Sequence, residues 1–320
     1  MSKNTKIWLI VGISLVIVGG MIFSGVMSVL NWNFNKLSTF KYVTNDYQIT
    51  EEYKSISITA DTADITFVLS EDGKTSVVCY EQEKAKHTVS VENGTLVIKL
   101  NDSRKWYEHI GINFGSPKIT VYIPQGEYGA LMIKSSTSDV KIPELNFESI
   151  DISLSTGDVK NYASASGTVK IKTSTGDIKT ENISAEALGL SVSTGRITAS
   201  DIKCVGDVHI KVSTGKANLT DLSCKNLTSN GNTGSIYLKD VIVEEKISIK
   251  RSTGDVKFEK CDAGEIYVKT DTGDVKGSLL SDKIFIARTD TGRIDVPKTV
   301  NGGRCEIVTD TGDIKITIAS

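Results

Sequence analysis

The chain has 320 residues, a formal net charge of −2, four prolines and only 7% aromatic residues. The absence of a basic excess removes the electrostatic basis for nucleic-acid binding, and the scarcity of proline argues against a disordered Pro-rich tract. No CxxC pair and no GxxxxGK[ST] loop occurs, so neither zinc-type cysteine spacing nor a phosphate loop is present.

Residues 1–6 carry Lys3 and Lys6, and the run Ile7 to Leu30 that follows is 24 residues long, apolar and uncharged. About 20 such residues suffice to cross a bilayer as a helix. Lys36 and Lys41 beyond it balance the lysines before it, and the free amino terminus tips the bias toward a cytoplasmic N-terminus. The run is long for a signal peptide and lacks a clear Ala-x-Ala site, so an uncleaved anchor over 7–30 is expected, with everything after it outside the cell. Trp32 and Phe34 fall where an interfacial aromatic belt would lie, and residues 31–44 are predicted as a short stalk.

Residues 45–130 are predicted as an irregular β region. Strands are expected near Ser76–Tyr80, Thr95–Leu100 and Lys118–Ile123, with turns at Glu92-Asn93-Gly94 and Pro124-Gln125-Gly126. Trp106, Tyr107, Glu108 and His109 sit in this region, and a lid over the open end of the following body is favoured over an exposed contact loop.

From residue 131 to 320 the chain repeats itself. Thr-Gly pairs place glycines at 157, 176, 195, 215, 234, 254, 273, 292 and 312, with gaps of 19 or 20 residues. A fixed period of this length marks a solenoid, in which each repeat is one coil stacked on the next. The residue two after each glycine is always apolar (Val159, Ile178, Ile197, Ala217, Ile236, Val256, Val275, Ile294, Ile314). Five before it, eight of nine are apolar, Ser229 being the exception. Period-two alternation of β-branched residues predicts a short strand, a tight Thr-Gly bend and a second short strand. The register extends upstream to Thr137-Ser138-Asp139 and to Asp61-Thr62-Ala63-Asp64. The predicted fold is therefore all-β: a parallel β-solenoid of 19–20-residue repeats, capped by residues 45–130 and preceded by one transmembrane helix. Ten coils at about 4.8 Å would give a rod about 48 Å long.

The repeat explains several motifs that otherwise suggest chemistry. Asp-Thr-Gly begins at Asp271, Asp290 and Asp310, as at an aspartic-protease site, but that slot holds Ser155, Ser174, Ser193, Ser213, Asn232 and Ser252 elsewhere, which marks a turn position. Aspartates also follow many of the glycines. A calcium ladder would draw on Asp271, Asp274, Asp310 and Asp313, yet Arg196, Lys216 and Arg293 interrupt the row, so mixed-sign stacking is preferred and no metal or cofactor is expected. His87, His109 and His209 have no partner at a motif spacing and are expected as surface or strand residues. Cys79, Cys204, Cys224, Cys261 and Cys305 are odd in number; Cys204 and Cys224 should stack on adjacent coils as a small apolar ladder rather than a disulfide. The C-terminal coil is expected to leave a strand edge open for a partner or a second copy.

The segments Ile56–Ile65, Gly94–Ile98 and Ile119–Pro124, followed by tandem Ser-Thr-Gly-Asp-Val and Ser-Thr-Gly-Asp-Ile units, resemble the bacterial putative-adhesin family with a DUF-type β-strand-repeat domain, its membrane-anchored, LiaG-like members in particular. The resemblance covers residues 45–320. It implies a bacterial cell-envelope protein, often near envelope-stress regulation, and carries over no catalytic residues. The expected function is a non-enzymatic, single-pass surface protein that binds a protein or cell-wall partner. A glycan-active β-helix enzyme and a passive spacer are the alternatives. The enzyme is disfavoured because the repeat body contains no Trp to build sugar platforms.

Overall fold

The computed structural model describes residues 2–111 and 115–319. Its one α-helix runs from Lys3 to Val29, and Ser2 caps it by accepting the Thr5 amide at 3.2 Å. Among its side chains only Met27 is buried, so a row of Ile, Leu, Val and Phe faces outward all round. A helix apolar on every side has no polar face to give to water, which suits a bilayer. A short 3-10 turn at Phe34–Leu37 follows, and the Trp32 and Phe34 rings each lie 6.5 Å from Phe23.

Strands begin at Tyr42, inside the stretch predicted as stalk. Tyr42–Ile49 pairs antiparallel with Thr75–Gln82, which pairs antiparallel with Lys118–Ile123, while Ala85–Glu92 pairs antiparallel with Thr95–Asp102. The parallel stack starts here too. Ser55–Thr59 lies between Thr95–Asp102 and Glu127–Thr137, parallel to both. Asp64–Leu69 likewise lies between Lys118–Ile123 and Val140–Ile142. The Asp61–Asp64 corner thus sits directly beneath the Thr137–Asp139 corner, as the upstream register predicts, and one more coil lies below it.

Above this base the rod is a parallel solenoid in strict register: Ile152 lies on Ile171, Ile171 on Leu190, Leu190 on Ile210, and Ser229 on Ile249. The apolar positions two after each glycine form a second column, Val140 to Val159 to Ile178 to Ile197. Both columns are almost wholly buried and make one continuous aliphatic core. The structure adds a third segment per coil. After the second strand the chain turns at a residue with φ near 50°, namely Asn182, Asp201, Asp221, Asp240 or Lys260. Asn and Asp tolerate this left-handed conformation best. Ile183, Ile202, Leu222, Val241 and Cys261 then face inward along a further buried column.

The Thr-Gly corner is tighter than a turn alone requires. At Gly215, φ is 133° and a Cβ would stand 1.8 Å from the Gly195 carbonyl oxygen of the coil beneath. Only glycine allows successive corners to approach this closely. Beside it, where an aspartate lies on the coil beneath, the residue after the glycine is held from below: the Asp158 amide donates to the Asp139 carboxylate at 2.8 Å, Asp177 to Asp158 at 2.7 Å and Arg196 to Asp177 at 2.7 Å.

At the far end the stacking order departs from the sequence order. The strand before Gly312 (Gly303–Thr311) pairs on one edge with Ile266–Thr272 and on the other with Lys283–Thr291. The chain therefore passes over one level after Gly273, forms the Gly292 coil, and returns to fill the gap with the Gly312 coil. The aspartate row continues through this rearrangement. In the observed order the Asp274 amide binds Asp255, Asp313 binds Asp274, and Arg293 binds Asp313, at 2.8–3.0 Å. In sequence order Arg293 would lie beneath Asp313 and leave its amide without a carboxylate. The expectation that the C-terminal coil leaves the free edge is corrected in part: most of that edge belongs to Lys283–Thr291 and Ile294–Asp295, where Ile284, Ile286 and Ile294 are exposed, while the C-terminal strand is paired on that side only at Ile314 and Lys315.

Candidate functional site

The positions that suggested catalysis do not converge. Asp271, Asp290 and Asp310 are exposed and occupy one outward row on neighbouring coils, rather than facing one another from two lobes. Asp274 and Asp313 belong to a different row. Each spends one carboxylate oxygen on the amide of the next coil, and the other oxygen of Asp274 takes Lys276 at 2.6 Å. The aspartates are thus clasps between coils.

Among the described residues, the side chains whose donor atoms do draw together are Cys79, Glu81 and His87, all buried in the N-terminal cap. Sequence reasoning had placed His87 on a strand without a partner. It is on a strand, but the tight antiparallel connection at Gln82 and Ala85 folds it back onto Glu81. One Glu81 oxygen accepts the His87 amide at 2.6 Å and lies 2.7 Å from its Nδ1; the other accepts Asn45 Nδ2 at 2.6 Å. Burial pushes the Glu81 carboxyl up, but the bonds from His87 and Asn45 outweigh it and hold the group below its ordinary range. Three strands are therefore tied through one carboxylate. Burial beside Glu81 pushes the Cys79 thiol up to about 12, and Cys224 and Cys305 are likewise raised to about 12 by burial. All five cysteines are free and buried, so the stacked Cys204 and Cys224 form packing rather than a bridge.

A second buried polar group was missed in the repeat body. Arg251 fills an inward position, reaching over Gly231 so that one guanidinium nitrogen donates to Ser229 Oγ at 2.8 Å. Burial pulls its pKa down to about 10. The signal was present in the sequence: Ser229, the one polar residue in its column, and Gly231 are what make room for it. In the cap, Trp106 and Tyr107 point outward and are exposed, so the predicted lid over the core is not formed by them.

A groove of about 620 Å³ lies on the outer face of the strands that precede the Thr-Gly corners. Gly189 forms its floor, because a missing side chain in an outward position leaves a depression between neighbouring coils. Lys170, Lys172, His209 and Lys211 stand around it with Ser191, Ser193, Ser213, Thr228 and Asn230, and no carboxylate lines it. Alternation fixes these side chains outward, since Val169, Ile171, Leu188, Leu190, Val208 and Ile210 between them are in the core. Paired acids for glycoside hydrolysis are absent from this lining. What the groove offers is positive charge and hydroxyls on a rigid sheet.

The model of the family described as Toastrack DUF4097 matches residues 53–211 and 196–320. No curated protein is significantly similar to the chain. Among solved structures, a putative lipid binding protein from Parabacteroides distasonis ATCC 8503 is 17% identical with a TM-score of 0.47, covering 88% of this chain and 98% of its own. A putative adhesin from the same organism is 12% identical with a TM-score of 0.46, covering 87% of this chain and 98% of its own. A putative adhesin from Bacteroides fragilis NCTC 9343 is 17% identical with a TM-score of 0.40, covering 87% of this chain and 97% of its own. With both matched segments together spanning nearly the whole chain after the apolar helix, this protein belongs to the Toastrack DUF4097 family.

Proposed function

We propose that the protein is a non-enzymatic surface-binding rod, tethered by its N-terminal helix to the cell membrane with the solenoid outside, and that the groove-bearing sheet is its binding face. The observation that carries this reading is the groove itself, where lysines and hydroxyls line one face without a single carboxylate. The apolar helix supports the tether, and family membership supports a place in the bacterial envelope. A link to envelope-stress regulation follows only from the resemblance to LiaG-like members. Self-association is expected at the open edge at Lys283–Thr291. The test is to incubate the full-length protein in detergent micelles with purified cell-wall material. Co-sedimentation without release of soluble fragments is the expected outcome. Release of fragments would instead identify a glycan-active enzyme, and neither sedimentation nor release would identify a spacer.

A further inference from the structure

The groove is one section of a longer row. Four residues before the corners from Ser138 to Gly254, lysine and a short polar side chain alternate from coil to coil; beyond them Lys269 stacks directly on Lys250. Ser153 lies between Lys134 and Lys172, Ser191 lies between Lys172 and Lys211, and Asn230 lies beneath Lys250. From Lys134 to Lys250 the lysines therefore recur every second coil, about 9.5 Å apart at two strand spacings.

Avoidance of like charges does not explain this pattern. Three residues after the corners, Lys141, Lys160 and Lys179 stack on three successive coils of the same rod. There the aspartate row runs alongside, and Lys179 pairs with Glu181 at 2.6 Å. The alternating row has no such compensation: among the described residues, Lys134, Lys172, Lys211 and Lys250 have no carboxylate within 4.0 Å. Between Lys170 and Ser252 the outward positions of these strands include one acid, Asp207, which starts its strand and accepts the Asn226 side-chain amide at 3.0 Å, although the whole chain is net negative at −2. Charge has been segregated to this face.

We propose that this row is a docking track for a linear polyol-phosphate chain lying along the rod axis, which deepens and rests on the surface-binding reading above. Evenly spaced cations with no acidic neighbour call for an evenly charged polyanion. Lysine acts here as a point charge suited to phosphate. The hydroxyls and amide between the lysines can bond to a polyol. No aromatic side chain lines the groove, so neither sugar rings nor nucleobases find a stacking platform there; Tyr267 stands beside Lys250 at the far end of the row. An acyclic backbone needs none and can adjust its charges to the row.

The test measures binding of end-labelled poly(glycerol phosphate) to the full-length protein in non-ionic detergent across a salt series. Polygalacturonate, whose carboxylates are carried on rings, and neutral dextran are the comparison polymers. The variant is Lys172→Gln with Lys211→Gln; the control is Lys179→Gln with Lys276→Gln, which removes as much charge from lysines three residues after the corners that pair with Glu181 and Asp274 at 2.6 Å. The groove variant should lose about tenfold or more in affinity, and the slope of log K against log salt should flatten by roughly 1.4, at about 0.7 per charge. The control should stay within about twofold, since compensated surface charges contribute little. Equal loss in the control, equal binding of polygalacturonate, or no binding of poly(glycerol phosphate) by the native protein would each overturn the proposal. If native protein still sediments with wall material in the last case, only the polymer assignment falls; if it does not, the surface-binding reading falls as well.

Discussion

Gly215 shows how two constraints meet on one residue. Its φ of 133° is unfavourable for any side chain, and the Gly195 carbonyl occupies the place of a Cβ. Gly215→Ala should therefore cost about 3 kcal/mol or more. Gly189→Ala, where a Cβ meets nothing closer than 3.9 Å, should change stability by less than about 1 kcal/mol. Thermal melts of the two variants check this directly, and similar losses in both would refute the close stacking of corners. Glu81 makes a different prediction. Its folded pKa lies below its unfolded value, so the stability it contributes is full above the unfolded carboxylate range, about 4.3, and is lost as pH falls through the folded value. Glu81→Gln should melt lower at neutral pH, because one acceptor oxygen becomes a donor, and should lose less on acidification than the native protein. An unchanged acid dependence would place the sensitive carboxylate elsewhere. At this scale the sequence was partly legible. The glycine period is visible by inspection, and so is the Asn182, Asp201, Asp221, Asp240 row once the left-handed corner is known. The Glu81–His87 contact was not, because it depends on which strands turn back on each other.

Elements follow from the period except where the order of stacking is at issue. Inward columns, corners and the Asp61–Asp64 coil all follow from a 19–20-residue register, because a shift by one residue would turn every core side chain to water. Register along the chain does not determine which coil lies on which. The strands before Gly292 and Gly312 carry the same alternation, and either could stack on Gly273. One difference between them is Arg293, which has no carboxylate to offer upward, although Arg196 beneath Lys216 shows that the row also accommodates a basic residue in mid-rod. Amide hydrogen exchange should reveal the order. With both edges paired, Gly303–Thr311 should exchange more slowly than Lys283–Thr291, which has one edge open. A rod stacked in sequence order would reverse that ranking.

For the whole molecule, the apolar helix and the lysine-bearing sheet face carry the account. The helix was legible from composition alone. The face was not, because its residues come from separate repeats and meet only after stacking. That face can work as proposed only if the helix spans the membrane and the rod stands outside it. The five native cysteines are buried and should remain silent toward thiol reagents, so a single introduced cysteine can report its own side of the membrane. Val205 is 81% exposed on the rod, and Ser2 precedes the helix. On intact cells a membrane-impermeant maleimide should label Val205→Cys at once and Ser2→Cys only after permeabilisation. Labelling of Ser2→Cys alone on intact cells, with Val205→Cys protected, would contradict the account.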